Sequence, residues 1–307
     1  MKFIELFAGI GGFRYGLENI SASEGIQQGR VSRHKPSNIK PQLGTEQFTC
    51  VWANEIDKYA AEIYRKNFGE EELYEGDIRN VITGDIPEHE LLVGGFPCQA
   101  FSIAGKRAGF NDCRGTLFFE IARILTDKRP RCVLLENVKG LLSHDSGKTF
   151  QTILKVLSDI GYRTEWQVLN SKDFGVPQNR ERVFIIGHLR GQSGGQVFPI
   201  GGSRSEDKRD NKDLEPRVYD AYNKKFRSDT ICGTLTKETA GRKDLSQGFK
   251  VVEDMRIRRL TPTECERLQG FPDGWTEGIS DTQRYKCLGN AVTTNVIQAI
   301  GEKLCQT

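Results

Sequence analysis

One residue that could perform chemistry is a lone cysteine, Cys98, within the stretch LLVGGFPCQAFSIAG at residues 91–105. An apolar run ends in two glycines, and a proline then leads into the cysteine and a small, polar segment. These flanks favour an exposed loop after a strand, where a thiolate would be a strong nucleophile. The alternative is a small buried hydrophobic residue, which is the commonest role of a free cysteine. No histidine lies near Cys98 in sequence, so a papain-like pair has little support.

Three further residues could act on a polar substrate. Glu136 closes the apolar run in LLENVKG, where a catalytic carboxylate would lie in an α/β sheet. Arg180 and Arg182 in QNRERVFIIG are two residues apart before an apolar run, so alternation along a strand places both on one face. Guanidinium groups bind phosphate or a base carbonyl. Each residue alone could equally be an ordinary surface charge.

The stretch FAGIGGF at residues 7–13 has the composition of a ligand-binding turn between a strand and a helix. Closely spaced glycines let the backbone approach a ligand at the helix N-terminus. Glu55 and Asp77 follow two later apolar runs, where one could hold ribose hydroxyls and the other could accept from an adenine amine. These residues predict a nucleoside pocket, and a nicotinamide or flavin cofactor stays open on them alone.

Short apolar runs alternate with helical patterns over the first 190 residues, which predicts an α/β domain with a largely parallel sheet. The ligand site of such a sheet lies at the carboxyl ends of its strands. Strands are predicted over residues 2–7, 48–54, 91–95, 131–137, 164–170 and 182–187. Helices are predicted over residues 12–20, 57–68, 115–128 and 149–160.

The composition is that of an ordinary globular protein of 307 residues, with 37% hydrophobic and 28% charged residues. The net charge of +3 is too small to indicate nucleic acid by itself. The eight cysteines are scattered without a C-x-x-C pair, which argues against a zinc site and a disulfide scaffold. No apolar run approaches the length of a membrane span, and no secretory signal is indicated. We therefore expect a reducing, cytoplasmic compartment.

The second half of the chain changes character. Residues 190–255 are rich in glycine, serine and charge, and predict a small irregular domain with short β-prone pieces. Thr261, Pro262 and Glu264 then form the pattern of a capped helix start. The final stretch, residues 288–304, predicts a loop leading into an amphipathic helix. The polar insertion at residues 21–47 is expected to be a surface loop rather than an extra contact to a partner.

Taken together and in this order, the blocks resemble one family: the cytosine-5 DNA methyltransferases, especially the compact bacterial restriction–modification type. They extend from residue 3 to about residue 300 and leave only 19–47 and 190–255 outside. The matching blocks are FAGIGGF, NEIDKYA, EGDI, GGFPCQAFSIAG, ENVKG, QNRERVFIIG, RLTPTECERLQGFP and LGNAV. The resemblance implies a Rossmann-like S-adenosylmethionine-dependent methyltransferase fold, a mostly parallel sheet with helices on both faces, plus a small irregular target-recognition domain.

The resemblance also implies a catalytic mechanism. Cys98 would attack carbon 6 of a flipped-out cytosine, which makes the ring enamine-like and carbon 5 nucleophilic. Glu136 would contact ring nitrogen 3 and the exocyclic amine. Arg182 would hold the exocyclic oxygen, and Arg180 would steady the loop or a phosphate.

The implied methyl donor is S-adenosyl-L-methionine, which leaves as S-adenosyl-L-homocysteine, and no metal is expected. In this resemblance the adenine lies against Phe7, with Asp77 at its amine and Glu55 at the ribose. The expected cofactor contacts are Phe7, Ala8, Gly9, Ile10, Gly11, Gly12, Asn54, Glu55, Ile56, Asp77, Ile78, Pro97, Leu117, Asn290 and Val292.

The expected partner is double-stranded DNA with a short, palindromic site, bound by a monomer. Residues 98–115 would form a mobile lid over the DNA backbone. The expected DNA contacts are Gln99, Ser102, Lys106, Arg107, Arg114, Thr234 and Leu235. The implied division is a catalytic and cofactor-binding domain at 1–189 and 281–307 and a target-recognition domain at 190–280. A cognate restriction endonuclease would need no direct contact.

Three alternatives remain beside DNA methylation. A transfer-RNA methyltransferase of the same fold would usually show a doubled proline before the cysteine and a Cys-Phe-Thr tripeptide, whereas this chain has Phe96 before Pro97 and lacks that tripeptide. A catalytically silent DNA-binding relative would be expected to lack Cys98, Glu136 or Arg182, and all three are present. An oxidoreductase built on the N-terminal glycines would leave these residues unexplained.

Overall fold

The computed structural model describes residues 1–20, 48–97, 117–192, 194–201 and 256–307, together with the short strands at 217–220, 225–226, 232–233 and 249–253. Several predicted site residues lie outside the described residues. They are Cys98, Gln99, Ser102, Lys106, Arg107, Arg114, Thr234 and Leu235. The 21–47 insertion also lies outside them.

A seven-stranded sheet has the order β3-β2-β1-β4-β5-β8-β6. Its strands are β1 (Lys2–Leu6), β2 (Thr49–Glu55), β3 (Leu73–Glu75), β4 (Leu91–Gly95), β5 (Cys132–Val138), β6 (Tyr162–Asn170) and β8 (Glu181–Leu189). Only β8 runs antiparallel to its neighbours, β5 and β6. The segment between β6 and β8 is too short for a helical crossover, so the chain turns back as a hairpin. The predicted, largely parallel sheet is confirmed.

The sheet is buried on both faces, because its strands alternate side chains between two helical layers. In β5, Val133 and Leu135 face one apolar core, and Cys132 and Leu134 face the other. Strands buried on both sides are nearly continuous apolar runs, which is why the sequence marks them clearly. The helices are α1 (Gly12–Glu18), α2 (Lys58–Phe68), α3 (Leu117–Lys128), α4 (Lys148–Asp159), α5 (Pro262–Leu268), α6 (Asp281–Asn290) and α7 (Thr294–Leu304).

Helices α3 and α4 cover one face of the sheet, and α1 and α7 cover the other. A third apolar cluster joins Ile10, after β1, and Ile63, in α2, to Leu268 and Trp275 near α5. Helix α5 begins as predicted. The side chain of Thr261 accepts from the amide of Glu264, and the side chain of Glu264 accepts from the amide of Thr261. This capping box satisfies two amides that have no partner within the helix.

The predicted loop before the last helix is partly wrong. Residues 288–290 are the end of α6, and only residues 291–293 form the turn that leads into α7. The polar pattern of α6 did not indicate a helix, since its buried residues Tyr285 and Leu288 pack on α5 and α2 rather than forming a regular apolar stripe.

Short strands occur between residues 217 and 259, where β-prone pieces were expected. Strands β9 (Arg217–Asp220), β10 (Lys225–Phe226), β12 (Phe249–Glu253) and β13 (Arg256–Arg259) form an antiparallel sheet in the order β10-β9-β12-β13. Strand β11 (Cys232–Gly233) pairs in parallel with β7 (Gln178–Asn179). This pairing connects the region to the segment that precedes β8. Among the helices that the structure describes, none is long and apolar enough to cross a membrane.

Candidate active site at the carboxyl edge of the sheet

The carboxyl ends of the central strands meet at one edge of the sheet. Leu6 of β1 is paired with Asn54 of β2 and with Gly94 of β4, and Gly95 is paired with Glu136 of β5. The antiparallel β8 begins at this same edge, where Arg182 is opposite Val138. The chain order reverses between β1 and β4, which is where open α/β sheets bind ligands.

Glu136 and Arg182 form a buried ion pair at this edge. The distance from Arg182 Nε to Glu136 Oε1 is 2.9 Å, and the two side chains are only 14% and 13% exposed. Burial raises the pKa of Glu136, and the charges of Arg182 and Arg180 act in the opposite direction. A Cβ added at Gly95 would lie 3.1 Å from Glu136 Oε2, so the glycine leaves room for the carboxylate. The pair can offer both an acceptor and a cation to one polar ring.

Arg180 has different hydrogen-bond partners from Arg182. Its buried guanidinium donates to the carbonyl of Ala291 at 2.7 Å and to that of Gly289 at 3.3 Å. Burial and the neighbouring charge of Arg182 lower the pKa of Arg180 to about 9, which still leaves it charged at neutral pH. Arg180 therefore binds the end of α6 and the C-terminal turn that follows it (residues 291–293), whereas Arg182 binds Glu136. The pairing of β6 with β8 continues to Arg180, whose carbonyl accepts from the amide of Ser171.

The segment that leads to Cys98 is held against the end of β5. Asn137, which is 2% exposed, donates from Nδ2 to the carbonyl of Phe96 at 2.8 Å, and its Oδ1 accepts from the amide of Val138. The ring of Phe96 packs against Phe118 at the start of α3. Pro97 is exposed and is the last described residue of this segment. The backbone one residue before Pro97 is thus fixed beside Glu136.

The glycine-rich turn after β1 has the conformation of a close backbone approach. Phe7 has φ 55°, Gly9 has φ 57° and Gly11 has φ 81°. A non-glycine residue with positive φ is strained, and such strain is concentrated at ligand sites. Nothing lies within 4 Å of a Cβ added at Gly9, so the turn is open on that side.

Glu55 shapes this turn through its buried carboxylate. Oε2 accepts from the amide of Gly9 at 2.7 Å, and Oε1 accepts from the amides of Ile56 and Asp57 at 2.8 and 2.7 Å. Burial raises the pKa of Glu55, and these amide hydrogen bonds oppose that shift. One acceptor position remains for a ligand hydroxyl, because a carboxylate has about four such positions and three are occupied.

The predicted adenine side lies at the ends of β2 and β3. Asp77 accepts from the side chain of Arg79 at 3.0 Å, and this hydrogen bond lowers the pKa of Asp77. Asn54 donates to the carbonyls of Tyr74 and Gly76, so its side chain holds the backbone before Asp77 rather than facing an open site. Ile56, by contrast, is 63% exposed at the same edge.

The remaining predicted cofactor residues differ in how they face this edge. Ala8, Ile10 and Ile78 bury their side chains in the apolar core, so only their backbone can contact a ligand. A Cβ added at Gly12 would lie 2.6 Å from Val292 Cγ1, which places the C-terminal turn directly against the glycine turn. Leu117 is partly buried at the start of α3, and Asn290 is exposed at the end of α6.

Sequence analysis missed three polar residues behind this site: Glu5, Gln269 and Trp275. Glu5 accepts from the amide of Phe13 in α1, and Trp275 Nε1 donates to the carbonyl of Ile10 at 3.0 Å. The first could have been found, because a charged residue interrupts the apolar run KFIEL. Trp275 lies 265 residues from Ile10, and Gln269 binds Leu288 from 19 residues away, so no local pattern indicates either residue.

The fold and the arrangement at this edge define an α/β methyltransferase of the Rossmann-like class. The S. pombe Dnmt2 methyltransferase has the same fold, with a TM-score of 0.68 at 21% identity over 97% of this chain and 96% of that chain. The Entamoeba histolytica methyltransferase EhMeth is similar, with a TM-score of 0.66 at 22% identity over 99% and 97%.

The family follows from the sequence comparisons. The profile of the C-5 cytosine-specific DNA methylases matches residues 1–225 and 200–306. The Type II methyltransferase M1.ScrFI of Lactococcus lactis subsp. cremoris is 40% identical over 99% of this chain and 78% of its own length. M.NlaX of Neisseria lactamica is 37% identical over 99% and 96%. The chain belongs to the C-5 cytosine-specific DNA methylase family and is a DNA (cytosine-5-)-methyltransferase. The relatives support this prediction and not the transfer-RNA alternative.

Proposed function

We propose that the chain methylates carbon 5 of a flipped-out cytosine within a short, palindromic site of duplex DNA, with S-adenosyl-L-methionine as methyl donor. The buried Glu136–Arg182 pair is the observation that carries this proposal, since it lies beside the backbone that leads to Cys98. A carboxyl group and a guanidinium together match the donor and acceptor edge of cytosine.

We assign a separate role to each catalytic residue. The thiolate of Cys98 forms a bond to carbon 6, and the ring electrons move toward carbon 5 and nitrogen 3. Glu136 holds a proton at nitrogen 3 and accepts from the exocyclic amine, which offsets the charge that develops on the ring. Arg182 donates to the exocyclic oxygen and keeps Glu136 in place. Once carbon 5 carries the methyl group, its proton would leave to a base, the electron pair of that C–H bond would form the carbon 5–carbon 6 double bond, and the carbon 6–sulfur bond would break to release Cys98 as a thiolate.

The residues of the glycine turn fit S-adenosyl-L-methionine, which supplies an electrophilic methyl group when bound. Glu55 retains acceptor capacity for the ribose hydroxyls, and the exposed Ile56 offers an apolar surface beside it for the adenine. Asp77 can accept from the adenine amine, in competition with its hydrogen bond from Arg79. The open side of Gly9 leaves room for the amino-acid moiety.

Recognition of DNA is assigned to the residues outside the described part of the site. We propose that Gln99, Ser102, Lys106, Arg107 and Arg114 contact DNA from the catalytic loop. Thr234 and Leu235 would do so from the target-recognition domain, residues 190–280. Residues 262–280 of that domain also pack against α1 and α2, so base readout is proposed for residues 190–259. The protein would act as a cytoplasmic monomer and protect host DNA from a cognate endonuclease.

Base-resolution mapping of 5-methylcytosine in a methylation-free bacterial host tests this function. The wild-type chain should methylate one short motif and Cys98→Ser should methylate none, because serine is a far weaker nucleophile at neutral pH. Cys305→Ser, at the end of α7, is the matched control and should methylate the same motif as wild type. DNA that stays unmethylated in the presence of folded wild-type protein would contradict the proposal.

A further inference from the structure

Residues 289–293 comprise the end of α6 and the turn that leads into α7, and are called the 289–293 turn below. Side chains from two other segments bind this turn. Helix C-termini leave carbonyl groups without partners inside the helix. Arg180 donates to the carbonyls of Gly289 and Ala291, and Gln269 donates to that of Leu288 at 2.9 Å. The conformation of the turn therefore depends on residues 109 and 19 positions away in sequence.

Gln269 is fully buried, and its amide can take only one orientation. Nε2 donates to the carbonyl of Leu288, and Oε1 accepts from the hydroxyl of Thr293 at 2.9 Å. Reversing the amide would place two acceptors, Oε1 and the Leu288 carbonyl, against each other. Gln269 thus binds both ends of the turn with a defined polarity.

The polar contacts continue from Gln269 toward the start of β8. Thr293 Oγ1 lies 2.8 Å from Ser171 Oγ, and Ser171 Oγ in turn lies 3.3 Å from the carbonyl of Arg180. The guanidinium of Arg180 returns to Gly289, next to Leu288. Ser171, Arg180, Gln269 and Thr293 are all at most 3% exposed. Thr293 and Ser171 have one hydroxyl hydrogen each, so at one time they make two of the three contacts that link Gln269 Oε1, the two hydroxyls and the Arg180 carbonyl.

The 289–293 turn packs directly against the glycine turn after β1. A Cβ at Gly12 would lie 2.6 Å from Val292 Cγ1 and 3.2 Å from the carbonyl of Val292. A Cβ at Gly16, one turn further along α1, would lie 2.8 Å from the carbonyl of Thr294. Any displacement of the 289–293 turn must therefore move residues that border the cofactor turn.

We propose that Gln269 is a positioning residue for the S-adenosyl-L-methionine pocket. It holds the 289–293 turn against Gly12 and connects that turn, through Thr293 and Ser171, to the strand that bears Arg182. A methionine at this position would fill the same space without any hydrogen bond, so packing alone does not require the amide. This inference rests on the proposed cofactor of the enzyme.

The test compares two glutamine variants by isothermal titration with S-adenosyl-L-methionine in the absence of DNA. Gln269→Met loses two hydrogen bonds and leaves Leu288 and Thr293 with unmet polar groups, so the Kd should rise roughly tenfold or more. Gln167→Met is the matched control, because Gln167 also makes two hydrogen bonds to backbone, at Ile200, far from the turn. Its Kd should equal that of wild type. In steady state, KM for the cofactor should rise more than kcat falls.

A second pair of variants keeps the inference testable if Gln269→Met does not fold. Thr293→Val removes the hydroxyl at constant shape and should weaken cofactor binding, whereas Thr293→Ser keeps the hydroxyl and should restore it. Wild-type affinity in both Gln269→Met and Thr293→Val would overturn the positioning role. Equal weakening of Gln269→Met and Gln167→Met would also overturn it. Failure of the wild-type protein itself to bind the cofactor would instead count against the proposed function.

Discussion

Three glutamates near the candidate site show how surroundings assign different tasks to one side chain. Burial raises the pKa of Glu5, Glu55 and Glu136 alike. Glu55 is surrounded by backbone amides, and Glu5 meets the amides of Phe13 and Arg14 and the hydroxyl of Tyr64. Glu136 has the ion pair with Arg182 at the open edge of the sheet. We therefore expect catalysis to depend on Glu136 and backbone placement to depend on the other two.

Glu136→Gln is expected to reduce the rate of methyl transfer by about 10²- to 10⁴-fold, the usual contribution of a general acid or base. Glutamine keeps the shape but cannot exchange a proton with cytosine, and it removes the charge that faces Arg182. Single-turnover methylation of a cognate duplex measures the effect. Glu181→Gln is the control, because Glu181 pairs with Lys139 at the protein surface and should leave the rate unchanged. A Glu136→Gln rate within threefold of wild type would contradict the assignment.

The stability of the protein should depend on pH through Glu5. Burial chiefly raises the pKa of Glu5 from 4.5 to about 8. The folded state thus keeps a proton that the unfolded state loses. Its contribution to stability is fully present below pH 4.5 and is lost as the pH rises to about 8. Relative to Glu5→Gln, wild type should lose up to about 1.4 kcal/mol per pH unit in this range.

Thermal unfolding of wild type and Glu5→Gln between pH 5 and pH 8 measures this dependence. Glutamine can still accept from the amide of Phe13, so the variant should fold. Glu62→Gln, on the exposed side of α2, is the control and should follow the wild-type curve. Parallel curves for wild type and Glu5→Gln would show that Glu5 is already ionised in the folded protein.

At the level of elements, the ends of β4 and β5 act as one unit. Their register places Gly95 beside Glu136, and Asn137 binds the carbonyl of Phe96 just beyond β4. The distance between the Glu136 carboxylate, proposed to be catalytic, and the backbone before Cys98 is thus set by one side-chain hydrogen bond in addition to the sheet. Small displacements of reacting groups are costly in catalysis.

Asn137→Leu should lower kcat by roughly tenfold or more, because it releases the Phe96 carbonyl while keeping the volume of the side chain. The Kd for S-adenosyl-L-methionine should not change, since the glycine turn follows β1, and β1 and β5 lie on opposite sides of β4. Asn19→Leu, which removes a hydrogen bond at the end of α1, is the control and should retain kcat. Equal kcat values for the two variants would rule out a special role for Asn137.

At the level of the whole molecule, the C-terminal residues complete a site that begins at residue 7. Trp275 binds the carbonyl of Ile10, and Lys66 of α2 donates to the carbonyls of Gly274 and Glu277. Residues on both sides of the segment 190–259 therefore belong to one packed unit around the glycine turn. A ligand that contacts this turn should stabilise the entire unit.

S-adenosyl-L-homocysteine at one hundred times its Kd should stabilise the folded protein by about 2.7 kcal/mol. The expected rise in Tm is several degrees, measured by differential scanning calorimetry. ATP at the same concentration is the control, because it presents an adenine nucleoside without the amino-acid moiety that Gly9 would accommodate. An equal shift with ATP, or no shift with either, would contradict the assigned pocket.

Local patterns were sufficient for most of the fold. The strands β1, β2, β4, β5, β6 and β8 were each predicted within a few residues, because burial on both faces makes them continuous apolar runs. Helix α5 was predicted from its capping box, which depends on neighbouring residues alone. Helix α6 was missed, since its burial is set by contacts with α5 and α2 rather than by its own periodicity.

The sequence by itself determined the family, the strand ends and the identity of the groups at the sheet edge, because a motif keeps its residue types and order along the chain. Only the tertiary structure decided their partners. Arg180 and Arg182 look equivalent in sequence, yet one binds the turn before α7 and the other binds Glu136. The role of Trp275 likewise arises from a contact across most of the chain, and that of Gln269 from contacts 19 and 24 residues away. Such contacts form only when the sheet brings distant segments together, and no local spacing records them.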